Sequence, residues 1–251
     1  MRSSVWLALA CTIVVGLTGC GDRFPDYRYK MTIHVGDKAF SSVRGIEQEE
    51  ISSMQSSSGR TVKRTLTGEA VIIEADGRTY YALLTKPDNA DYATLIAGAA
   101  LAPSIPVVAP PSAQDAAIKE PPSNQGKRDP TAYLDDMAAR SRAMTEVNGA
   151  HQLPRTLPPR QGRPPFQAWP MFVTFDDPDD PKTVREVSPE SIGVNNITIE
   201  ITDEDVTTGI EERLGWLAAY YDKMLDGNRL HVSNALNNNL GRQAFKSESA
   251  K

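Results

Sequence analysis

The feature that most restricts how this 251-residue chain can fold is the placement of its prolines, because 13 of the 18 lie within residues 103–170. Proline lacks a backbone N–H donor and favours extended conformations, so such a stretch is unsuited to the interior of a sheet. We therefore predict an insertion at residues 103–169 between two halves of one domain, residues 20–102 and 170–245. Residues 246–251 are expected to fray at the end of the chain.

The insertion carries the signals of a single helix. Asp129-Pro130 is a favourable helix start, and Asn148-Gly149 is a favourable stop. Between them, residues that recur at helical spacing are Tyr133, Leu134, Met137, Ala138, Ser141 and Met144. We predict that this helix interrupts two poorly ordered arms, which serve either as a tether or as a partner-binding arm.

The half before the insertion has the pattern of antiparallel strands. Apolar and polar residues alternate from Tyr27 to Val35, which is typical of a half-buried strand, and Ala39 to Ile46 is suited to a return strand. Glu47 to Arg60 has no clear period and is predicted to be a loop. Asp76-Gly77 suits a type I′ turn, so residues 69–85 are predicted to form a hairpin.

That hairpin needs a covering layer. Val71, Ile72 and Ile73 are consecutive, which indicates a strand covered on both faces. The next segment offers a helix that Asp88 can cap. Its expected packing face contains Tyr92, Leu95, Ile96 and Ala99.

The half after the insertion combines short strands and turns. The predicted strands are Met171 to Phe175, Lys182 to Val187 and Ile197 to Ile201. Thr208 and Glu211 have the spacing of a capping box, so Gly209 to Leu217 is predicted to be a helix that buries Ile210 and Leu214. Met224 to Leu230 resembles a turn between short strands. The predicted fold class is α+β, an antiparallel sheet with a few packing helices and a poorly ordered proline-rich insertion.

The amino terminus begins with an apolar run from Val5 to Leu17, which is too short to cross a bilayer and has the character of a secretory signal. It ends in Leu17-Thr18-Gly19-Cys20, which resembles the lipobox of bacterial lipoproteins. The resemblance implies a signal peptide at residues 1–19, lipidation of Cys20 and attachment to a membrane through that lipid. The alternative is an unmodified Cys20 that follows an ordinary signal peptide.

Lipidation has consequences for chemistry and location. Cys11 would leave with the signal and Cys20 would carry lipid, so a disulfide, a cysteine zinc site and cysteine catalysis are not expected. Among lipoproteins, Asp directly after the cysteine commonly marks inner-membrane retention. Here that residue is Gly21, which favours the outer membrane, with the folded body facing the periplasm.

Composition and motifs narrow the partners. The formal net charge of -5 argues against a basic nucleic-acid-binding protein, so no nucleic-acid partner is expected. Neither a glycine-rich phosphate loop nor a dinucleotide fingerprint occurs, so no cofactor is predicted. Besides the membrane, the partner that we expect is another protein of the cell envelope.

Two segments carry a second resemblance. Thr202 to Leu217 and Leu225 to Leu236 look like a group of uncharacterised alphaproteobacterial envelope proteins. Tyr29 to Val43 and Gly68 to Leu84 are similar to it more loosely. The resemblance implies one shared domain built from the first and last thirds of the chain, and it transfers no catalytic residues.

One group of residues is a candidate for catalysis. On a strand, Arg229, His231 and Ser233 would share one face, where His231 could activate Ser233 as a nucleophile. The alternative, a solvent-facing strand edge, is favoured because the sequence has no nucleophile-elbow motif and no identifiable orienting acid. The other two histidines, His34 and His151, are expected to be exposed.

One group of carboxylates is a candidate for metal binding. Asp176, Asp177, Asp179 and Asp180 could hold a hard cation such as Ca²⁺. The alternative is an ordinary tight turn of Asp and Pro, and it is favoured because the central glycine and distal glutamate of an EF-hand are missing. The sequence as a whole favours a lipid-anchored binding or scaffolding module, with a periplasmic Ser/His hydrolase as the alternative.

Overall fold

The computed structural model describes residues 23–54, 59–105, 130–157 and 165–248. Within these ranges the chain forms mostly antiparallel sheet with short helices, which confirms the predicted α+β class. The strands, in chain order, are β1 Tyr27–Val35, β2 Lys38–Ser52, β3 Arg60–Glu69, β4 Val71–Ala75, β5 Arg78–Ala82, β6 His151–Gln152, β7 Thr156–Leu157, β8 Phe166–Gln167, β9 Phe172–Phe175, β10 Val184–Val187, β11 Val194–Ile201 and β12 Lys246–Ser247. The α-helices are α1 Tyr92–Leu101, α2 Pro130–Thr145, α3 Pro189–Ile192 and α4 Leu236–Asn239.

A six-stranded sheet has the order β12-β3-β2-β1-β11-β6. The predicted strand from Tyr27 to Val35 is confirmed as β1, and its apolar residues Tyr29, Met31 and Ile33 are fully buried. Tyr29 lies opposite Arg44 on β2 and Ile201 on β11. The alternation of apolar and polar residues therefore directs one face of this sheet into the main core.

The loop predicted for Glu47 to Arg60 is wrong over most of its length. Strand β2 continues to Ser52, and β3 begins at Arg60, with Gln48 opposite Arg64 and Glu50 opposite Val62. Residues 55–58 lie outside the described residues. The extension carries polar side chains on both faces, so backbone pairing with β3 forms a strand that has no hydrophobic period.

The four-stranded sheet has the order β10-β9-β5-β4 and contains the predicted hairpin. Asp76 and Gly77 have φ values of 51° and 72°, which are the positive angles of the type I′ turn. Val71 and Ile73 face the main core, whereas Ile72 packs against a second cluster that contains Phe175. The predicted coverage of this strand on both faces is confirmed.

Helix α1 begins later than predicted. Asp91, not Asp88, precedes its first residue, because Lys86 and Asn89 pair through their backbones in a turn. Tyr92 and Ile96 are buried as expected, but Leu95 is 46% exposed and lies on the opposite side. Leu95 is therefore not part of the buried face of α1.

The helix predicted for Gly209 to Leu217 is also wrong. Two short 3-10 helices, Ile210–Glu212 and Leu217–Tyr220, replace it, although Ile210, Leu214 and Leu217 are buried. Gly209 has a φ of 115°, and the carboxylate of Glu69 accepts the backbone N–H groups of both Gly209 and Ile210. A distant side chain thus replaces the local cap that Thr208 was expected to provide.

The insertion contributes more than its predicted helix, which is confirmed as α2. Strand β6 pairs with β11, and β7 pairs with β8. Leu153 and Ala168 are buried in the main core, so the described residues of the arm that follows α2 are packed against the domain. Residues 106–129 and 158–164 lie outside the described residues. The fraying predicted for 246–251 is wrong for Lys246–Ser247, which pair with β3, whereas 249–251 are not described.

Candidate functional site

The three residues proposed for catalysis do not form a site. Arg229, His231 and Ser233 lie in an irregular, exposed segment, so the predicted short strand is wrong. Arg229 pairs with Asp222 at 2.9 Å, and the Ser233 hydroxyl oxygen accepts the backbone N–H of Ala235 at 3.3 Å. Among the described contacts, none joins His231 to Ser233, so general-base activation of the serine lacks its geometry.

Asn238 explains why this segment is not a strand. Its side-chain oxygen accepts the backbone N–H groups of Val232 and Ser233 at 2.6 and 2.9 Å. Its amide nitrogen donates to Asp226 at 2.7 Å and to the Leu230 carbonyl at 3.1 Å. Asn238 is fully buried, and its side-chain amide makes the four hydrogen bonds that hold the loop in this conformation.

The four aspartates form a turn. Asp177 accepts the backbone N–H of Asp179, and Asp180 accepts that of Lys182, both at 3.0 Å. Asp176 pairs with Arg185 at 2.5 Å. Across the described ranges, no group of three or more His, Cys, Asp or Glu residues is placed to hold a metal ion. The carboxylates of Asp177 and Asp180 therefore bind the backbone of the turn, and that of Asp176 forms a surface ion pair.

A cleft of about 340 Å³ lies between α1, α2 and the first three strands. Its walls are formed by apolar and small residues from the two helices and the segment that follows α1. These residues are Leu95, Gly98, Ala99, Ala102, Ile105, Met137 and Met144. The exposed Leu95 is thus part of the cleft wall, and the volume is within the range of small-molecule sites.

The polar lining of the cleft is a connected chain across three elements. The Arg64 Nε donates to the Gln48 side-chain oxygen at 3.1 Å, and the Gln48 amide nitrogen donates to the Ser141 hydroxyl at 2.5 Å. This chain joins β3, β2 and α2. Because Ser141 accepts from Gln48, its own hydroxyl hydrogen is available to a ligand.

Arg64 differs from the other arginine in the cleft. Arg140 is paired with Asp136 at 3.0 Å, whereas no carboxylate of the described residues pairs with Arg64. Glu50, which lies on the same face of the sheet, is held by Arg23 at 2.8 Å and by Arg60 at 2.9 Å. Arg64 therefore contributes to the cleft lining a positive charge that no described carboxylate compensates.

Tyr27 adds a further donor. Only 7% of the residue is exposed, and its hydroxyl has no hydrogen-bond partner among the described residues. Burial raises the pKa of the Tyr27 hydroxyl, while the positive charge of Arg64 acts in the opposite direction. The hydroxyl therefore stays protonated at neutral pH and can donate to an acceptor in the cleft.

The amino-terminal end of the described chain is fixed beside this cleft. Arg23 pairs with Glu50 at 2.8 Å and with Asp135 at 2.6 Å. Phe24 is buried against Leu134 and Ala138 on α2. Cys20 lies outside the described residues, and within the described ranges no helix is long and apolar enough to span a membrane.

The sequence alone indicates only part of the cleft. Met137, Ser141 and Met144 were on the predicted helix face, but that pattern alone indicated packing against a core. Gln48 lay in a predicted loop, and Arg64 had no distinguishing motif. Polar residues that alternate along β2 and β3 were the available signal for a strand pair with a functional face.

No protein-family model matches the chain, and no curated protein or solved structure matches it. The resemblance to alphaproteobacterial envelope proteins therefore stays a prediction. What can be said of function comes from the residues of the cleft and from the sequence of the amino terminus.

Proposed function

We propose that this protein is a lipid-anchored binding module of the bacterial envelope that faces the periplasm and holds a ligand in the cleft between α1 and α2. The observation that carries the proposal is the lining of the cleft, which combines apolar helix walls with Arg64, a charge that no carboxylate of the described residues pairs. The described lining has three hydroxyl groups, on Tyr27, Thr94 and Ser141, and no histidine, lysine or carboxylate that could activate one of them as a nucleophile. Binding without catalysis fits this set of residues best.

The sequence Leu17-Thr18-Gly19-Cys20 supports the lipid anchor. Three residues span at most about 10 Å, so lipid on Cys20 would hold Arg23 close to the membrane surface. Arg23 is bound to β2 and α2, the elements that supply Gln48 and Ser141 to the cleft. The anchor and the cleft would therefore share one end of the protein. The residue Gly21 favours the outer membrane as the destination.

The anchor can be tested by metabolic labelling with an alkyne-bearing fatty acid. We expect label on the wild-type protein and on Cys11→Ala, which retains the proposed attachment site. Cys20→Ala should carry none. Equal labelling of Cys20→Ala and the wild type would contradict lipidation at this position.

The binding function can be tested by native mass spectrometry of protein purified from the cells that make it. We expect a bound small molecule on the wild type that is missing from Gly98→Leu, because a leucine at this position would occupy the cleft. Gly215→Leu is the matched control, since Gly215 is exposed, lies outside the cleft lining and has open space around it. A wild-type protein without bound ligand, or equal occupancy of all three proteins, would contradict the proposal.

A further inference from the structure

We infer that the ligand of the cleft is a single-chain lipid with one anionic head group, taken from the membrane to which the protein is attached. This inference rests on the proposed binding function and adds the chemical class of the ligand. It depends on three properties of the described residues: the shape and polarity of the walls, the donors at one side, and the position of the cleft next to the amino-terminal end.

The walls are suited to an alkyl chain. Leu95, Gly98 and Ala99 on α1, and Ala102 directly after its end, follow one another at helical spacing and line the cleft. Met137 and Met144 face them from α2. Small residues on one side leave room, and the flexible thioether side chains on the other can adapt to a chain without a fixed shape.

The donors are suited to one compact anion. Arg64 offers its terminal nitrogens, because its Nε is already used by Gln48. Ser141 and Tyr27 each offer a hydroxyl hydrogen. These groups can donate to the oxygens of a carboxylate or a phosphate, which is the geometry that a guanidinium recognises best.

The charges around the cleft favour an anion over a neutral or cationic ligand. The described lining contains two arginines and no carboxylate. The charge of Arg140 is balanced by Asp136, so the single uncompensated charge of Arg64 matches one negative head group. A ligand with several separate anionic groups would lack partners for the others.

The cleft also lies where such a lipid would be available. Met137 lines the cleft and packs against the cluster that buries Phe24. Gln48 donates to the Pro25 carbonyl at 2.7 Å as well as to Ser141. Phe24 and Pro25, which follow the proposed anchor Cys20 closely in the sequence, thus contact side chains that form the cleft, so a membrane at that end would supply its lipids over a short distance.

The inference can be tested with the acylated full-length protein in phosphatidylcholine vesicles and a dodecanoate analogue that carries a photoreactive diazirine. We expect covalent labelling of residues on α1 and α2, mapped by peptide mass spectrometry. Unlabelled dodecanoate or dodecyl phosphate should suppress the labelling, and the stronger competitor identifies the head group as a carboxylate or a phosphate. Dodecanol, which has the chain without the charge, and butyrate, which has the charge without the chain, should compete at least tenfold less well.

Two variants locate the head group. Arg64→Gln should weaken labelling by about 10- to 100-fold, the effect of losing a charge-assisted hydrogen bond. Lys63→Gln is the matched control, because it removes the same charge from the neighbouring residue, which is exposed on the opposite face of β3. Thermal unfolding of both variants establishes that each is folded. Gly98→Leu should abolish labelling while the helix is retained.

The outcomes separate this inference from the proposed function. Equal competition by dodecanol and dodecanoate, or equal labelling of Arg64→Gln and Lys63→Gln, would overturn the lipid-anion inference. The lipid-anion inference would also be overturned if the protein formed a dimer that covers the cleft and does not dissociate in the presence of dodecanoate. If native mass spectrometry still finds a different ligand that Gly98→Leu excludes, the binding function stands and only its ligand class is wrong.

Discussion

Glu69 Oε2 lies 2.8 Å from the backbone nitrogen of Ile210 and accepts its hydrogen bond, while Oε1 accepts the backbone N–H of Gly209 at 3.2 Å. One buried carboxylate at the end of β3 thus caps a 3-10 helix that is 141 residues further along the chain. A side-chain amide has only one acceptor oxygen, so Glu69→Gln would leave one of these N–H groups unsatisfied. We expect the free energy of unfolding at pH 7 to fall by about 1–3 kcal/mol.

The pH dependence of the same variant provides a second measurement. Burial raises the pKa of Glu69, although the two backbone N–H groups and Lys246 act in the opposite direction. A raised pKa means that the folded state binds the proton more tightly, so this contribution to stability is complete below the unfolded-state pKa and is lost as the pH rises through the folded-state pKa.

We therefore expect the stability difference between the wild type and Glu69→Gln to widen as the pH is lowered through this range. Urea unfolding at several pH values measures it. Glu74→Gln is the control, because it removes an exposed carboxylate whose ion pair in the described structure is with Arg213 at the surface. A difference that narrows towards acidic pH would show that the pKa of Glu69 is lowered instead.

Alanine substitutions at two glycines should change the free energy of unfolding in opposite directions. Gly98 lies inside α1, and a methyl group there would meet only Met144 Sδ at 3.8 Å. Gly98→Ala should raise the free energy of unfolding by about 0.5–1 kcal/mol, because alanine loses less backbone entropy in a helix. Gly68 has a φ of 143°, and its methyl group would lie 3.2 Å from Arg44 Cα.

Gly68→Ala should accordingly lower the free energy of unfolding by about 1–3 kcal/mol. Thermal and urea unfolding of the two variants measure both effects side by side. Stabilisation by Gly68→Ala would mean that the backbone at this position is not constrained by Arg44. Destabilisation by Gly98→Ala would mean that α1 and α2 are packed too closely to leave the cleft that we describe.

Elements that depend on interactions between residues close in the sequence could be predicted, whereas elements that depend on distant residues could not. Strand β1 and the Asp76-Gly77 turn depend on alternation and on local backbone angles, which the sequence shows directly. The 3-10 helix at Ile210 depends on Glu69, which no local pattern reveals. Local rules therefore predicted a longer helix than the distant cap supports.

The cleft was harder to predict for the same reason. Its described lining comes from three strands and two helices that are far apart in the sequence. Whether Arg64 is paired depends on Glu50 being held by Arg23 and Arg60, which only the folded structure shows. The numbers of arginines and carboxylates can be read from the sequence, but the sequence does not show which of them form ion pairs.

Asn238 offers a test of the loop that contains Arg229 and His231. Asn238→Ala removes four hydrogen bonds and leaves part-buried backbone groups of residues 230, 232 and 233 without these partners, so we expect the free energy of unfolding to fall by about 1–3 kcal/mol. Hydrogen exchange should also become faster at Val232 and Ser233. The control is Asn237→Ala, which loses one exposed side-chain hydrogen bond to the Lys182 carbonyl. Equal effects of the two variants would contradict the organising role of Asn238.

Arg44 is the largest fully buried side chain of the described residues, and replacing it tests whether its charge stabilises the fold. Its Nη1 and Nε make long hydrogen bonds of 3.4 Å to the Tyr29 hydroxyl and the Glu69 carbonyl, and Nη2 has no partner within the described part of the chain. Both acceptors keep other bonds, since Tyr29 donates to the Ala93 carbonyl and the Ser42 hydroxyl donates to the Glu69 carbonyl.

Arg44→Met would therefore remove a buried charge and an unsatisfied donor while leaving no new group unpaired. We expect a free energy of unfolding that is unchanged or raised by about 1–4 kcal/mol. Arg44→Ala should be about 2–5 kcal/mol less stable than Arg44→Met, because it leaves a cavity beside Tyr29. Urea unfolding of both variants separates charge from volume. If Arg44→Met were as unstable as Arg44→Ala, the guanidinium itself would be required, and its two long hydrogen bonds would be stronger in solution than their lengths indicate.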